Sequence, residues 1–142
     1  MDPALLDSTV YISALRRGAE GSLAVEAFTT NVTLWLSAVV LQELYAGARE
    51  RDLHVLEPLR RRFSDIGRIL VPDSEDWVNA GRVLALLAAK YGYEAIGRSR
   101  LTNDALIAVS AARLGIQVIT GNRRDFSRLA EVCRFSWQFA TI

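Results

Sequence analysis

The stretch 102–126, TNDALIAVSAARLGIQVITGNRRDF, constrains the fold more than any other part of the chain. It reads as helix, glycine, strand, glycine, with one acid opening the helix and another leaving the strand. Thr102 or Asn103 is a good N-cap, Ala105, Leu106, Ile107, Ala111 and Leu114 recur at helical spacing, and Gly115 stops the helix. Asp104 shares a face with Ile107, Ala111 and Leu114, so its carboxylate heads an apolar stripe rather than the wet side. Residues 116–120 are rich in β-branched side chains and bounded by glycines, which predicts a short strand. Residues 121–125 are then its exit loop, and Asp125 lies just past a strand's carboxyl end.

The same alternation runs through the rest of the chain. Ala4-Leu5-Leu6 is a first strand ending at Asp7, and Ser8 and Thr9 cap a helix over 10–17. Residues 18–21 are a break, and Ser22 starts a second helix carrying Leu23, Val25, Ala27 and Phe28. A second strand over 33–37 leads into a helix over 39–48, where Glu43 shares the face of Val40, Leu44 and Gly47 and occupies a place that suits a leucine. Residues 52–64 are helical despite Pro58, and Arg60, Arg61 and Arg62 there suit a solvated face or a contact to RNA or a partner. Residues 68–71 form a third strand closed by Pro72. Ser74, Glu75 and Asp76 open the longest helix, whose apolar face holds Trp77, Val78, Ala80, Val83, Leu84, Leu87 and Ala88. A loop over 91–101 carries Arg98 and Arg100. Beyond Phe126 a short turn of helix leads to a last strand over 132–135 and a tail with Trp137 and Phe139. Strands alternating with helices predict an α/β fold, a parallel sheet with helices on both faces. At 142 residues, 51% hydrophobic and 23% charged, the chain suits one globular domain, 1–142.

Composition removes several classes of function. The longest apolar run, 83–89, is too short to cross a bilayer, and the N-terminus has no basic leader, so a cytoplasmic protein without a membrane partner is expected. One cysteine, Cys133, and one histidine, His54, make neither an internal disulfide nor a structural zinc site, and Cys133 suits a small buried hydrophobe. The net charge of +1 gives no global basic field. All seventeen basic residues except Lys90 are arginine, whose planar fork suits bidentate phosphate contacts, although a GC-rich genome also encodes arginine by default.

In parallel sheets ligands bind beyond the carboxyl ends of the strands. Asp7 and Asp125 sit at such ends, and Asp104 and Glu43 lie early in helices that can face the same edge. Four acids converging there would repel one another at a cost of several kcal/mol unless a cation offsets it. With no histidine or cysteine nearby, their oxygens select a hard divalent ion, Mg²⁺ or Mn²⁺. Carboxylate-held ions of this kind activate water and neutralise phosphodiester charge, which points to phosphodiester hydrolysis. Each acid also has an ordinary alternative. Asp7 and Asp104 suit helix starts, Asp125 suits a turn, and Glu43 could face a buried arginine.

The segments LLDSTVYI, SAVVLQELYAGA, NDALIAVSAARLG and VITGNRRDF, in this order and spacing, resemble the PIN-domain ribonucleases and, within them, the VapC-type toxins of toxin–antitoxin pairs. The resemblance spans nearly the whole chain. It implies a five-stranded parallel sheet in an α/β/α sandwich and cleavage of RNA with Mg²⁺ or Mn²⁺. It also implies a small cognate antitoxin that masks the site, and a homodimer, for which Trp35, Trp77 and the long helix offer apolar surface. By it Asp7, Glu43, Asp104 and Asp125 are the acidic metal-binding quartet, with Thr9, Thr120 and Asn122 as accessory polar residues. Arg98, Arg100, Arg123 and Arg124 flank the acids and are the candidates for gripping RNA phosphates. Asn122 is a departure, since many relatives carry an aspartate there, and it bears on how many ions the site holds.

A PIN nuclease that processes RNA without an antitoxin is the nearest alternative. A phosphotransferase of the haloacid-dehalogenase kind needs a second acid two residues after the first, where this chain has Thr9. A non-enzymatic receiver-like domain needs a lysine on a late strand, and Lys90 ends a helix. Serine or cysteine hydrolysis would need His54, which has no motif around it.

Overall fold

Ala4, Leu5 and Leu6 form a continuous apolar run because their strand is covered on both faces, and all three are fully enclosed. They belong to β1 (Asp2–Leu6) in a computed structural model that describes residues 1–18, 30–96 and 99–141, and the side chains of these outside 95–100. The helix expected from Ser22 lies outside the described residues, as do the side chains of Arg98 and Arg100. β1 is the middle strand of a five-stranded sheet with β2 (Val32–Ser37), β3 (Ile69–Leu70), β4 (Gln117–Thr120) and β5 (Trp137–Phe139). The order is β3-β2-β1-β4-β5 and every pairing is parallel, with Leu5 opposite Trp35 on one side and Val118 on the other.

From β1 the chain steps outward through β2 to β3, crosses back to β4 and steps outward again to β5. Right-handed connections that reverse direction lay their helices on opposite faces. The first group is α1 (Ser8–Arg17), α2 (Ala38–Ala46) and α3 (Leu53–Asp65), the last preceded by a 3-10 turn over Glu50–Asp52; α2 touches both of the others. The second is α4 (Ser74–Tyr91), the short α5 (Tyr93–Ile96), α6 (Ser99–Leu114) and α7 (Arg123–Val132), in which α4, α6 and α7 touch one another. Val10, Val40, Leu44 and Leu56 fill the first layer, and Leu87, Ile107, Ala111, Phe126 and Leu129 the second. The α/β sandwich read from the sequence is the fold observed.

α4 is fixed by more than its apolar face. Asp73 caps it reciprocally with Asp76: each backbone N–H donates to the other's carboxylate, at 2.9 and 2.8 Å. Arg113, from the last turn of α6, donates from Nε to both Asp76 oxygens and from Nη2 to Oδ2 at 2.8 Å. Burial pushes the Asp76 carboxyl up, but the guanidinium and the Asp73 N–H outweigh it and hold the group below its usual range.

Several boundaries differ from the expectation. α6 begins at Ser99, so residues 93–96 and 99–101 of the expected loop are helical: Gly92, at φ 94, turns the chain out of α4 into α5, and the extra turn of α6 carries Leu101 into the core. Asp104 therefore sits in the second turn of α6 and does not open it. The exit from β4 is also shorter, because Asn122 caps α7 and draws 123–125 into its first turn. α7 then continues to Val132, so 132–135 is not a strand. The last strand is Trp137–Phe139, which pairs with Val118, Ile119 and Thr120. Cys133 caps α7 half-buried, and burial pushes its thiol up, away from a nucleophilic thiolate. Along α4, Ala80, Val83, Leu87 and Ala88 are buried as expected, whereas Trp77 and Val78 stand outside the core, 58% and 47% exposed.

Candidate active site

The sheet reverses its direction of travel between β1 and β4, and a crevice at their carboxyl ends is the natural place for a ligand. Asp7 follows β1 directly, and its backbone N–H donates to Ile119 O at 2.8 Å, which extends the ladder by one residue. It has the backbone of an N-cap for α1, yet its side chain makes no capping bond. The carboxylate turns instead to two hydroxyls. Thr120 Oγ1 donates to Asp7 Oδ2 at 2.8 Å and Thr9 Oγ1 donates to the same oxygen at 3.0 Å. Both hydroxyls are themselves held, Thr9 by the Gly121 N–H and Thr120 by the Asn122 N–H, each at 2.9 Å. Asp7 Oδ1 is buried with no hydrogen-bond partner, in a residue only 1% exposed. A buried carboxylate oxygen without a donor is costly, so this one asks for a cation or a water.

Asn122 ties the exit of β4 to two further acids. Its Oδ1 accepts from the Asp125 N–H at 3.3 Å, which caps α7 and fixes which way the amide points. Its Nδ2 consequently faces carboxylates, donating to Asp125 Oδ2 at 2.9 Å and to Asp104 Oδ2 at 3.5 Å. Asp104 is buried, 3% exposed, on the inner side of α6 with Ile107 and Ala111, while Leu114 ends that row 45% exposed. Glu43 is half-buried in α2, whose start is set by Ser37 accepting from the N–H groups of Val39 and Val40.

α2 meets α6 through a contact the sequence did not reveal. Asn103 Nδ2 donates to Gln42 Oε1 at 3.4 Å, joining the residues that precede Asp104 and Glu43. Two amides, each one place before an acid, were the available signal. The structure thus brings Asp7, Thr9, Thr120, Asn122, Asp104 and Asp125 into one hydrogen-bonded series, with Glu43 carried on the adjoining helix. As the side chains stand, no three metal-ligating groups among the described residues gather closely enough to hold one ion together. The donor chemistry nevertheless suits a hard divalent ion, since every acceptor is oxygen and Asp7 Oδ1 is bare. Arg123 and Arg124 are exposed in the first turn of α7, and the Arg123 guanidinium lies 4.1 Å from the centroid of the Phe139 ring.

The profile of the PIN domain family matches residues 4–132, a span that contains every one of these acids. The chain belongs to the PIN domain family. This PIN domain is similar in structure to the DNA-bound VapBC of Salmonella typhimurium, with a TM-score of 0.73 and 25% identity over 99% of this chain and 100% of that one. It is similar to VapBC-1 of nontypeable Haemophilus influenzae, with a TM-score of 0.66 and 23% identity over 98% of each chain. VapBC2 of Rickettsia felis, bound to a promoter DNA fragment, gives 0.63 and 20% over 96% and 97%. No curated protein is significantly similar to it in sequence. The PIN assignment agrees with this fold, in which Asn122 at the exit of β4, the strand beside β1, ties together the acids of α6 and α7.

Proposed function

We propose that this PIN domain is a Mg²⁺- or Mn²⁺-dependent endoribonuclease of the VapC type, the toxin of a toxin–antitoxin pair, cytoplasmic and homodimeric. The observation that carries the reading is the bare, buried Asp7 Oδ1 beside a hydrogen-bonded set of carboxylates at the switch point of a PIN sheet. The likeness to VapBC assemblies supports a small antitoxin as partner. Among the described residues no helix is long and apolar enough to cross a membrane.

Asp7 would supply Oδ1, with Glu43, Asp104 and Asp125 reaching the ion directly or through bound water, as suits an ion that keeps much of its hydration. An ion held there lowers the pKa of a bound water and offsets charge on the phosphodiester. Thr9 and Thr120 hold Asp7 in one orientation, so that its second oxygen stays aimed without reorganisation. Asn122 restrains Asp125 and Asp104 against their mutual repulsion. Arg123 and Arg124, with Arg98 and Arg100, would grip RNA phosphates and counter the acids' repulsion of a polyanion.

The test is cleavage of RNA by purified protein with Mg²⁺, with EDTA, and by the Asp7→Asn and Asp104→Asn variants. Each variant keeps size and loses a charged ligand, so a ~10²-fold loss, about 3 kcal/mol, is expected with the fold intact. Equal cleavage in all four would refute the site. The neighbouring open reading frame should encode a small DNA-binding protein; a lone gene would remove the toxin reading and leave the nuclease.

A further inference from the structure

We propose that Phe139 is a positioning residue for RNA: its ring, fixed at the end of β5, seats the Arg123 guanidinium so that the N–H edge is presented to a backbone phosphate beside the acids. The inference rests on the ribonuclease reading above.

The ring is placed by the sheet. Phe139 is the last residue of β5 and stands opposite Thr120, the last residue of β4, and the Ala140 N–H donates to Thr120 O at 2.8 Å, which closes the ladder beyond it. Phe139 therefore lies at the same carboxyl-end edge as Asp7, whose Oδ2 accepts from Thr120 Oγ1. Trp137, two residues earlier, packs against the core, whereas Phe139 does not. The half-buried ring meets Arg123 instead, with the guanidinium carbon 4.1 Å from its centroid, well inside the ~6 Å reach of a cation–π contact.

Arg123 is the first residue of α7, between the Asn122 cap and Asp125. Among the described residues it pairs with no carboxylate, so its charge is left for something outside the chain. Arg128 differs. It lies 4.5 Å from the centroid of the Tyr91 ring, whose hydroxyl donates to Glu131 Oε1 at 2.8 Å, so that cation belongs to a cluster with an acid in it. A long arginine side chain gives up rotamer freedom when it grips a phosphate. Stacking on Phe139 takes that loss in advance, and because it engages the flat face of the guanidinium it leaves the N–H fork open at the edge. Arg124, exposed in the same turn, has no aromatic seat among the described residues. Of the two, Arg123 is the better organised for a phosphate.

The experiment measures filter binding of a labelled single-stranded oligoribonucleotide in EDTA, where the metal-dependent reaction is off. Phe139→Leu keeps an apolar side chain and removes the π face, and should weaken binding about threefold with the salt slope unchanged, since the charge remains. Phe139→Tyr should bind like wild type. Arg123→Ala should weaken binding more than Arg124→Ala, and adding Phe139→Leu should have no further effect on Arg123→Ala and its full effect on Arg124→Ala. A Phe139→Leu loss that persists on Arg123→Ala, or that Phe139→Tyr shares, would overturn the role given to Phe139 and leave the ribonuclease reading standing, as would no loss at all. A wild type that binds no RNA would overturn that reading and this inference with it. If Phe139→Leu does not fold, equal losses from Arg123→Ala and Arg124→Ala overturn the inference, and a larger loss from Arg123→Ala sustains it.

Discussion

Removing the guanidinium of Arg113 should destabilise the fold by an amount that the structure sets. Asp76 is 1% exposed, and its carboxylate accepts three hydrogen bonds from Arg113 and one from the Asp73 N–H. In Arg113→Ala only the last remains, so an almost fully enclosed charge loses its cation. Breaking a buried pair from one side costs about 3–5 kcal/mol. The Arg113 side chain is 35% exposed, so water can follow it into the space, and about 2–3 kcal/mol is the discounted figure. With a urea slope of about 2 kcal/mol/M, the unfolding midpoint should fall by roughly 1 M at neutral pH. The pH dependence has a definite sign. The folded pKa of Asp76 lies below its ordinary 3.8, so its stabilisation is present above that value and is lost as the pH falls through the lower, folded one. The gap between wild type and variant should close in that acid range. A midpoint shift under about 0.25 M at neutral pH, or a gap that persists in acid, would refute the assignment of α4 docking to this pair.

Thr120→Val removes the donor to Asp7 Oδ2 and the acceptor of the Asn122 N–H from a fully buried position, and should cost about 1–3 kcal/mol in urea melts and weaken Mn²⁺ binding in titrations. Arg124→Ala should weaken RNA binding and flatten its dependence on salt by about 0.7 in log–log slope, measured by filter binding, with Mn²⁺ binding unchanged. Trp77 stands exposed beside Val71 and Pro72, so Trp77→Glu should turn the proposed homodimer into a monomer in sedimentation at tens of micromolar, and a wild type that is already monomeric would refute that assembly.

The sheet and the address of the acids were legible because each depends on short-range pattern. The apolar run before Asp7 and the β-branched run before Asn122 mark strands covered on both sides, and an acid that follows such a strand lies at its carboxyl end. What escaped the sequence depends on contacts between distant elements. The first turn of α6 is held by burying Leu101, which local propensity does not report. The last strand is chosen by the edge of β4, which pairs with Trp137–Phe139, whereas α7 absorbs Val132 because Phe126 and Leu129 beneath it face the core. The amide pair of Gln42 and Asn103 joins residues 61 apart, and no periodicity predicts it. Trp77 looked like core from spacing alone and is a surface residue, because the face of α4 that meets α6 and α7 is narrower than its apolar stripe.

The hydrogen bond from Thr120 to Asp7 joins residues 113 positions apart, and β1 lacks its neighbour on that side until β4 has been made. A nascent chain therefore carries Asp7 long before it carries the Thr120 hydroxyl that fixes it in place. Assembly of the cleft is deferred until β4 has been made, and a fragment that stops short of β4 has acids without a site. For the nuclease proposed above, this order of events leaves the nascent chain inert toward its own message until that strand is in place.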